Sequence, residues 1–584
     1  MPPATNFHRA LIRASVRRQT VTAWGVVLVV IALGSSSQHL CGAASAAAPE
    51  VTQLIPPGGQ RGSKVIVKCE GNFAWPVQVE AKGVDVAVTP ESGKLEVSIP
   101  ADLAADRAWI RVYNSEGTSL PLPFLIGSLP ELEEVEPNDV LRNAQTLPQS
   151  QITINGRFEN GVVDCYRVEL TKGDTLVVAM QANHLLGAPL DGVLQVVSAD
   201  GFVLAENHDD VRLDPLVAYA VPRTGVYFVR AAAFPAAPRA DVNFAGRANY
   251  LYRLTITNGP FLLTTRPTTV SNVGPQRVQA VGWNLAEDLR IPVLPLGHTT
   301  ARSSEFAEQE GSSGLRIPAG ARLGIVHADG MAGSARVRML PENVAIQMPT
   351  NDGSAPTELK LPAALTGWLK TANQQGIYKC TLTKGQPLVV VVESSRIDSL
   401  LDPAVTLTGP SGAVIPEPWV SGQPQKDALL TYVAPADGDY ILTIRDPYHM
   451  DTLRRCYRLS AWIEEPDFEL ALASDSILVS AEKPTELAIQ VTRRTGMDPS
   501  GNVGPITIEA VGLPAGVTAE PVVSESSGGT AAAVKLQISS TGPNSSGPIQ
   551  VVGRSTAPRP IERWARTPER LGACFESLWL TVTK

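Results

Sequence analysis

The chain has 584 residues, too many for one core, so several domains of ordinary size are expected. Apolar residues make up 44% and charged ones only 18%, while 48 Gly and 47 Pro are scattered as punctuation between Val- and Thr-rich alternating runs. That pattern reads as many short strands joined by turns. A net charge of −8 without a basic stripe argues against nucleic acid as a partner and is compatible with divalent cations.

Residues 1–46 stand apart. They carry Arg9, Arg13, Arg17 and Arg18, no acid, and the apolar run WGVVLVVIALG from Trp24 to Gly34. That run is shorter than the roughly 20 residues a spanning helix needs. Small residues follow, and Ala44-Ser45-Ala46 makes an acceptable cleavage site, so the segment reads as a secretory signal peptide. An uncleaved anchor is the alternative. Cleavage removes four arginines and takes the net charge from −8 to −12. No second apolar run is long enough to span a bilayer, so the mature protein is expected to be secreted, periplasmic or at a bacterial cell surface, with no integral membrane span.

After the leader comes EVTQLIPPGGQRGSKVIVKCEGNF, Glu50 to Phe73, with a Pro-Gly turn before a strand ending in Gly-Asn-Phe. An acidic arm, LEEVEPNDVLRNAQTLP, begins at Leu132. Beyond it lies a repeat at an offset of 212 residues. DCYRVELTKGDTLVV (Asp164 to Val178) answers GIYKCTLTKGQPLVV (Gly376 to Val390), and LDGVLQVVSADG (Leu190 to Gly201) answers LDPAVTLTGPSG (Leu401 to Gly412). LVAYAVPRTGVYFV (Leu216 to Val229) answers LLTYVAPADGDYIL (Leu429 to Leu442), and YRLTI at Tyr252 answers YRLSA at Tyr457. Four blocks in one order mark a duplication. Alternation in CYRVEL and turn chemistry in TKGD, TKGQ, PRTG and PADG predict antiparallel β-sandwiches, with the Tyr and Leu positions packing the two sheets together.

These blocks resemble the bacterial pre-peptidase C-terminal (PPC) domain, a non-catalytic β-sandwich appended to secreted peptidases and surface proteins. The resemblance covers 132–258 well and 351–464 more weakly. Glu50 to Phe73 resembles the opening of an immunoglobulin-like TIG domain, and GPQRVQAVGWNL (Gly274 to Leu285) is its degenerate echo. GLPAGV, in the last segment, is a turn common in immunoglobulin-like modules. The expectation is an all-β tandem array of immunoglobulin-like and PPC-like jelly-roll modules. It divides as signal 1–46, immunoglobulin-like 47–129, PPC-like 130–258, degenerate immunoglobulin-like 259–345, PPC-like 346–464 and C-terminal immunoglobulin-like 465–584.

Catalytic patterns are missing from the sequence. No histidine pair has ligand spacing, and there is no nucleophile elbow or phosphate loop. GTSLP (Gly117 to Pro121) faintly suggests a serine loop but has no matching His or Asp context, and His208 in ENHDD reads as a solvated turn. Five cysteines follow the leader: Cys69, Cys165, Cys380, Cys456 and Cys574. An odd number at long spacings is neither a disulfide framework nor a zinc site. Cys380 and Cys456 share a module and are candidates for a pair, and the rest are expected as small buried residues.

The acidic arm is the one candidate site. In calcium-binding relatives of the PPC domain a Glu-x-Glu-x-Asn-Asp arm supplies oxygens together with an Asp just before the first strand. That resemblance implies Glu134, Glu136, Asn138, Asp139 and Asp164 as Ca²⁺ ligands. One departure is Gly161, where relatives often place a second Asp. The alternative is that Asn138 or Asp139 caps a short helix over VLRNAQ while the glutamates stay solvated. In the second copy the arm reads MPTNDGSAP and Gly376 replaces Asp164, so any calcium site belongs to the first copy alone.

The chain is therefore expected to be a secreted, non-enzymatic multi-module protein for extracellular or cell-surface binding, its partner a protein or glycan. An accessory of a secreted peptidase and a carbohydrate-binding array are the alternatives. The array needs exposed aromatic platforms, for which Trp75, Trp283, Trp368 and Trp419 are candidates against plain packing roles.

Overall fold

The computed structural model describes residues 47–583 apart from 160, 238–242, 297–308, 311–315, 348–354, 372, 416–418, 422–426, 449–452, 481–482 and 495–502. Residues 1–46, read above as a signal peptide, and most of the second arm (residues 348–354) lie outside the described residues. From residue 46 onward the chain forms one compact unit. It is built almost wholly of strands, paired mostly antiparallel with parallel pairs at sheet edges, the all-β class expected.

The strands form where apolar residues alternate. Lys64–Asn72, KVIVKCEGN, buries Val67 and Cys69 and turns its lysines outward. It pairs with Glu50–Ile55 and Lys94–Ser98, while Leu122–Gly127 pairs with Arg107–Asn114 in the facing sheet. Leu95, Val97, Ile110, Val112 and Phe124 fill the space between them.

The duplication is visible as topology. In the first sandwich one sheet runs Glu131–Glu133, Gln151–Arg157, Leu251–Thr257, Thr175–Gln181, Leu216–Ala220. Its facing sheet runs Gln145–Thr146, Asp164–Leu170, Gly225–Pro235, Leu190–Ser198, Val203–Asn207. The second sandwich repeats this order except at one edge, where Trp419–Ser421 joins the first sheet and the second has no counterpart of Val203–Asn207: Ala345–Gln347, Ala363–Trp368, Cys456–Ile463, Pro387–Glu393, Ala428–Val433, Trp419–Ser421, against Thr357–Glu358, Gly376–Leu382, Gly438–Arg445, Ala404–Thr408 among the described residues. Tyr166 and Tyr252 in one core, and Tyr378 and Tyr457 in the other, are fully buried between the sheets.

Each sandwich also sends an arginine into the immunoglobulin-like module before it. Arg253 lies against Gly58, where a Cβ would come within 2.8 Å of its Cζ, so the Pro-Gly-Gly turn leaves room for the guanidinium. Arg253 is held there by Glu131 and by Asn155 Oδ1 at 3.2 Å. Its counterpart Arg458 donates to Thr268 O at 3.3 Å and faces Glu393, which also binds Arg338.

The array closes on itself. Trp109 of the first module meets Phe575 of the last edge-on at 5.4 Å, Tyr113 meets Trp579 at 4.6 Å, and Arg111 lies 3.7 Å from Asp475. The final strand Leu578–Thr583 pairs with Ser476–Ser480 and Ser545–Ser555. None of the five described cysteines is in a disulfide and all are buried, so Cys380 and Cys456 do not pair and act as small core residues.

Candidate metal centre

The acidic arm folds back on the first sandwich. Glu131–Glu133 runs parallel to Gln151–Arg157, and Glu134 continues that line by donating its amide to Asn155 O at 3.0 Å. The chain then turns through Glu136-Pro137, which is cis. Asn138 is pulled under the sandwich, fully buried, its carbonyl accepting from Cys165 N at 3.0 Å. That bond fixes the arm to the first residues of the strand Asp164–Leu170.

The result is a gathering of acids. One oxygen each from Glu134, Glu136 and Asp164 lies within 4.8 Å of the others. Glu134 Oε1 accepts from Asn138 Nδ2 at 3.2 Å and Tyr166 Oη at 3.3 Å and lies 3.0 Å from Tyr252 Oη, while its Oε2 accepts from Arg157 N at 2.9 Å. Glu136 Oε2 accepts from Asn138 N at 2.7 Å, and Tyr252 Oη donates to Asp164 Oδ2 at 2.6 Å. Two further oxygens, Asn138 Oδ1 and Asp164 Oδ1, are buried and have no hydrogen-bond partner among the described residues. Burial, reinforced by Glu134, pushes the Asp164 carboxyl up to about 9. Burial likewise raises the Tyr166 and Tyr252 phenols well above their ordinary value.

Of the five residues singled out from the sequence, four converge: Glu134, Glu136, Asn138 and Asp164. Asp139 is exposed and stands outside the carboxylate group. The capping alternative does not hold. The turn after the arm is a single 3-10 turn, Leu141–Asn143, that starts from Val140 with no side-chain cap. Gly161 explains the departure from the relatives' pattern. Its φ is +69° and a Cβ there would lie 2.4 Å from Phe244 O, so no aspartate fits this backbone.

Two contributors were not foreseen, the hydroxyls of Tyr166 and Tyr252. Both tyrosines recur in the second copy, which lacks the counterparts of Glu134, Glu136 and Asp164, and there Tyr378 and Tyr457 touch at 2.5 Å, so the repeat marks them as packing residues and hides their contact with the acids.

The donor set fits calcium. Three carboxylates and an amide oxygen are the hard ligands it prefers among its usual six to eight or so oxygens, and two of these atoms want a partner.

The other candidates are structural. Ser119 of GTSLP is buried, accepting from Val112 N at 3.1 Å and donating to Leu120 O at 2.8 Å. His208 is an exposed partner of Glu206 at 3.0 Å. Trp368 is buried beneath the Arg266 guanidinium, 4.2 Å from its ring centre, Trp283 packs on Phe261 and Trp75 on Phe73. The Trp419 side chain lies outside the described residues.

No protein-family model and no curated protein matches the chain. Solved structures do. The four N-terminal Ig domains of Dscam1 isoform 7.44 align over 92% of this chain and 100% of theirs, at 8% identity and a TM-score of 0.20. A tetra-tandem repeat from the extending region of a large adhesion protein aligns over 92% and 100%, at 9% identity and 0.13. The M60 catalytic domain with two CBM51 domains from Clostridium perfringens ZmpB aligns over 71% of this chain and 46% of its own, at 9% and 0.15. At such scores these likenesses add nothing to the sheet orders above. The chain is a tandem array of β-sandwiches with immunoglobulin-like modules, and no helix among the described residues is long and apolar enough to cross a membrane.

Proposed function

We propose that the chain is an exported, non-catalytic binding protein, its partner an extracellular protein or glycan, and that its first PPC-like sandwich takes one Ca²⁺. The orphaned oxygens of Asn138 and Asp164, buried beside two glutamates, carry the calcium reading. An ion there offsets the repulsion among three carboxylates and ties the arm, which leads from the first immunoglobulin-like module, to the sandwich. Calcium then acts on rigidity rather than chemistry: it fixes the angle between two modules of a closed array. The test is a pull-down by the mature chain from its own envelope fraction, in calcium and in EDTA, beside assays for peptidase, esterase and glycosidase activity. Recovery of a partner that weakens in EDTA, with no turnover, is expected. A turnover abolished by changing one Ser, His or Asp overturns the reading.

A further inference from the structure

Trp462 and Trp564, neither of them singled out from the sequence, line one cleft of about 830 Å³. It opens where the second immunoglobulin-like module, the second sandwich and the C-terminal module meet. Both indoles are half-buried, Trp462 near the end of Cys456–Ile463 and Trp564 at the end of Ile561–Trp564. Six of the charges on the same walls pair with one another, and Glu464, Glu562 and Arg338 pair with Arg316, Arg554 and Glu393 beyond them. Arg559 Nη2 lies 2.8 Å from Glu465 Oε2, Arg563 Nη2 lies 2.8 Å from Asp467 Oδ2, and Arg494 pairs with Glu469. The volume falls inside the roughly 300–1,000 Å³ of ligand sites, which favour domain junctions.

We propose that this cleft binds a neutral oligosaccharide. The inference names a ligand class for the binding function above and rests on it. A sugar ring has an apolar C–H face and a rim of hydroxyls. The electron-rich indole face takes the first. The second suits guanidinium and carboxylate groups that are already paired, because each keeps N–H donors or lone pairs in the plane where vicinal hydroxyls sit. A charged ligand would have to displace those ion pairs. A protein partner is met by surfaces whose centre is depleted of charge, and here charged side chains share the walls with the tryptophans.

The experiment titrates the mature chain with maltopentaose, cellopentaose, chitopentaose and mannopentaose, read by tryptophan fluorescence and calorimetry. At least one should saturate with a Kd below about 1 mM. The affinity should stay nearly constant as NaCl rises, since no net charge is engaged. Trp462→Ala and Trp564→Ala should each weaken binding about tenfold. Glu465→Gln keeps the side-chain shape and should weaken it at an unchanged melting temperature, which guards against misfolded tryptophan variants. Failure of all four sugars to saturate, tighter binding of an anionic sugar or a peptide, or unchanged affinity in the tryptophan variants overturns the proposal. If the sugars fail while the envelope pull-down still recovers a partner, the oligosaccharide falls and the binding function stands. If both fail, both fall.

Discussion

Gly376 stands in the second sandwich where Asp164 stands in the first, and the tyrosine pair behind each is the same. In the first copy Tyr252 donates to Asp164 at 2.6 Å while Tyr166 and Tyr252 touch at 2.5 Å. In the second copy the Tyr457 hydroxyl fills the vacated space, 1.9 Å from where a Cβ on Gly376 would sit. One scaffold thus offers two solutions: an acid cluster that suits a cation, and a closed hydroxyl pair that needs none.

The first sandwich should therefore respond to calcium. At an ion concentration 100 times the Kd, binding to the folded state alone adds about 2.7 kcal/mol. Melting of the mature chain should show one transition raised by calcium relative to EDTA, and raised less by magnesium, which dehydrates reluctantly. Asp164→Asn should lose the shift. Calcium-insensitive melting of the wild type would remove the ion from the first sandwich.

Restoring the acid in the second copy should fail. Gly376→Asp forces a Cβ into the Tyr457 hydroxyl, and overpacking of this kind costs about 1–3 kcal/mol. Denaturant unfolding should show the loss, and calcium should not repair it. A variant as stable as the wild type would mean the tyrosine moves aside without cost.

The fold was legible because its signal is local and repeated. Alternation in DCYRVEL gives a strand whichever sheet receives it, and two copies in one order leave little else to choose. The site was half legible. Glu134, Glu136, Asn138 and Asp164 follow from the arm's resemblance to calcium-binding PPC arms, but Asp139 does not join the carboxylate group. The tyrosine hydroxyls were hidden by their packing role. The closure of Trp109 on Phe575, and the cleft at Trp462 and Trp564, join residues far apart in the chain, and no period or motif encodes such a meeting.

The leader should be removed. The exported protein should begin at Ala47, read by N-terminal sequencing or intact mass, and an intact Met1 would turn the signal peptide into an anchor.

Asp427 sets a pH dependence. It accepts from Ser394 N at 2.6 Å and Ser395 N at 2.9 Å, and burial, with Glu393 adding to it against these bonds and Arg396, pushes its carboxyl from the ordinary 3.8 to about 6. The folded state holds this proton more tightly than the unfolded one. Its contribution is therefore complete below pH 3.8 and is lost as pH rises through about 6. Two units correspond to about 3 kcal/mol. Asp427→Asn keeps the acceptor oxygen and cannot titrate, so the stability of the wild type relative to this variant should fall by about that much between pH 4 and 7 or so. A constant difference across the range would show that Asp427 titrates normally.

Glu393 should be the costliest single ion to remove. It lies between two modules, its side chain 1% exposed, with Arg338 bound to both carboxylate oxygens and Arg458 at 3.6 Å. Arg338 and Arg458 are 1% and 0% exposed. Taking one partner from a buried set leaves charge that neither water nor protein balances, at about 3–5 kcal/mol. Glu393→Gln, isosteric and neutral, should lower the unfolding midpoint accordingly and expose the junction between 259–345 and 346–464 to limited proteolysis. The triple change Arg338→Met, Glu393→Leu, Arg458→Met removes all three charges together. It should recover most of the loss, because a buried ionic set is close to neutral overall against apolar groups of similar volume. A Glu393→Gln variant within about 0.5 kcal/mol of the wild type would place it with ordinary surface changes and show that water reaches this junction.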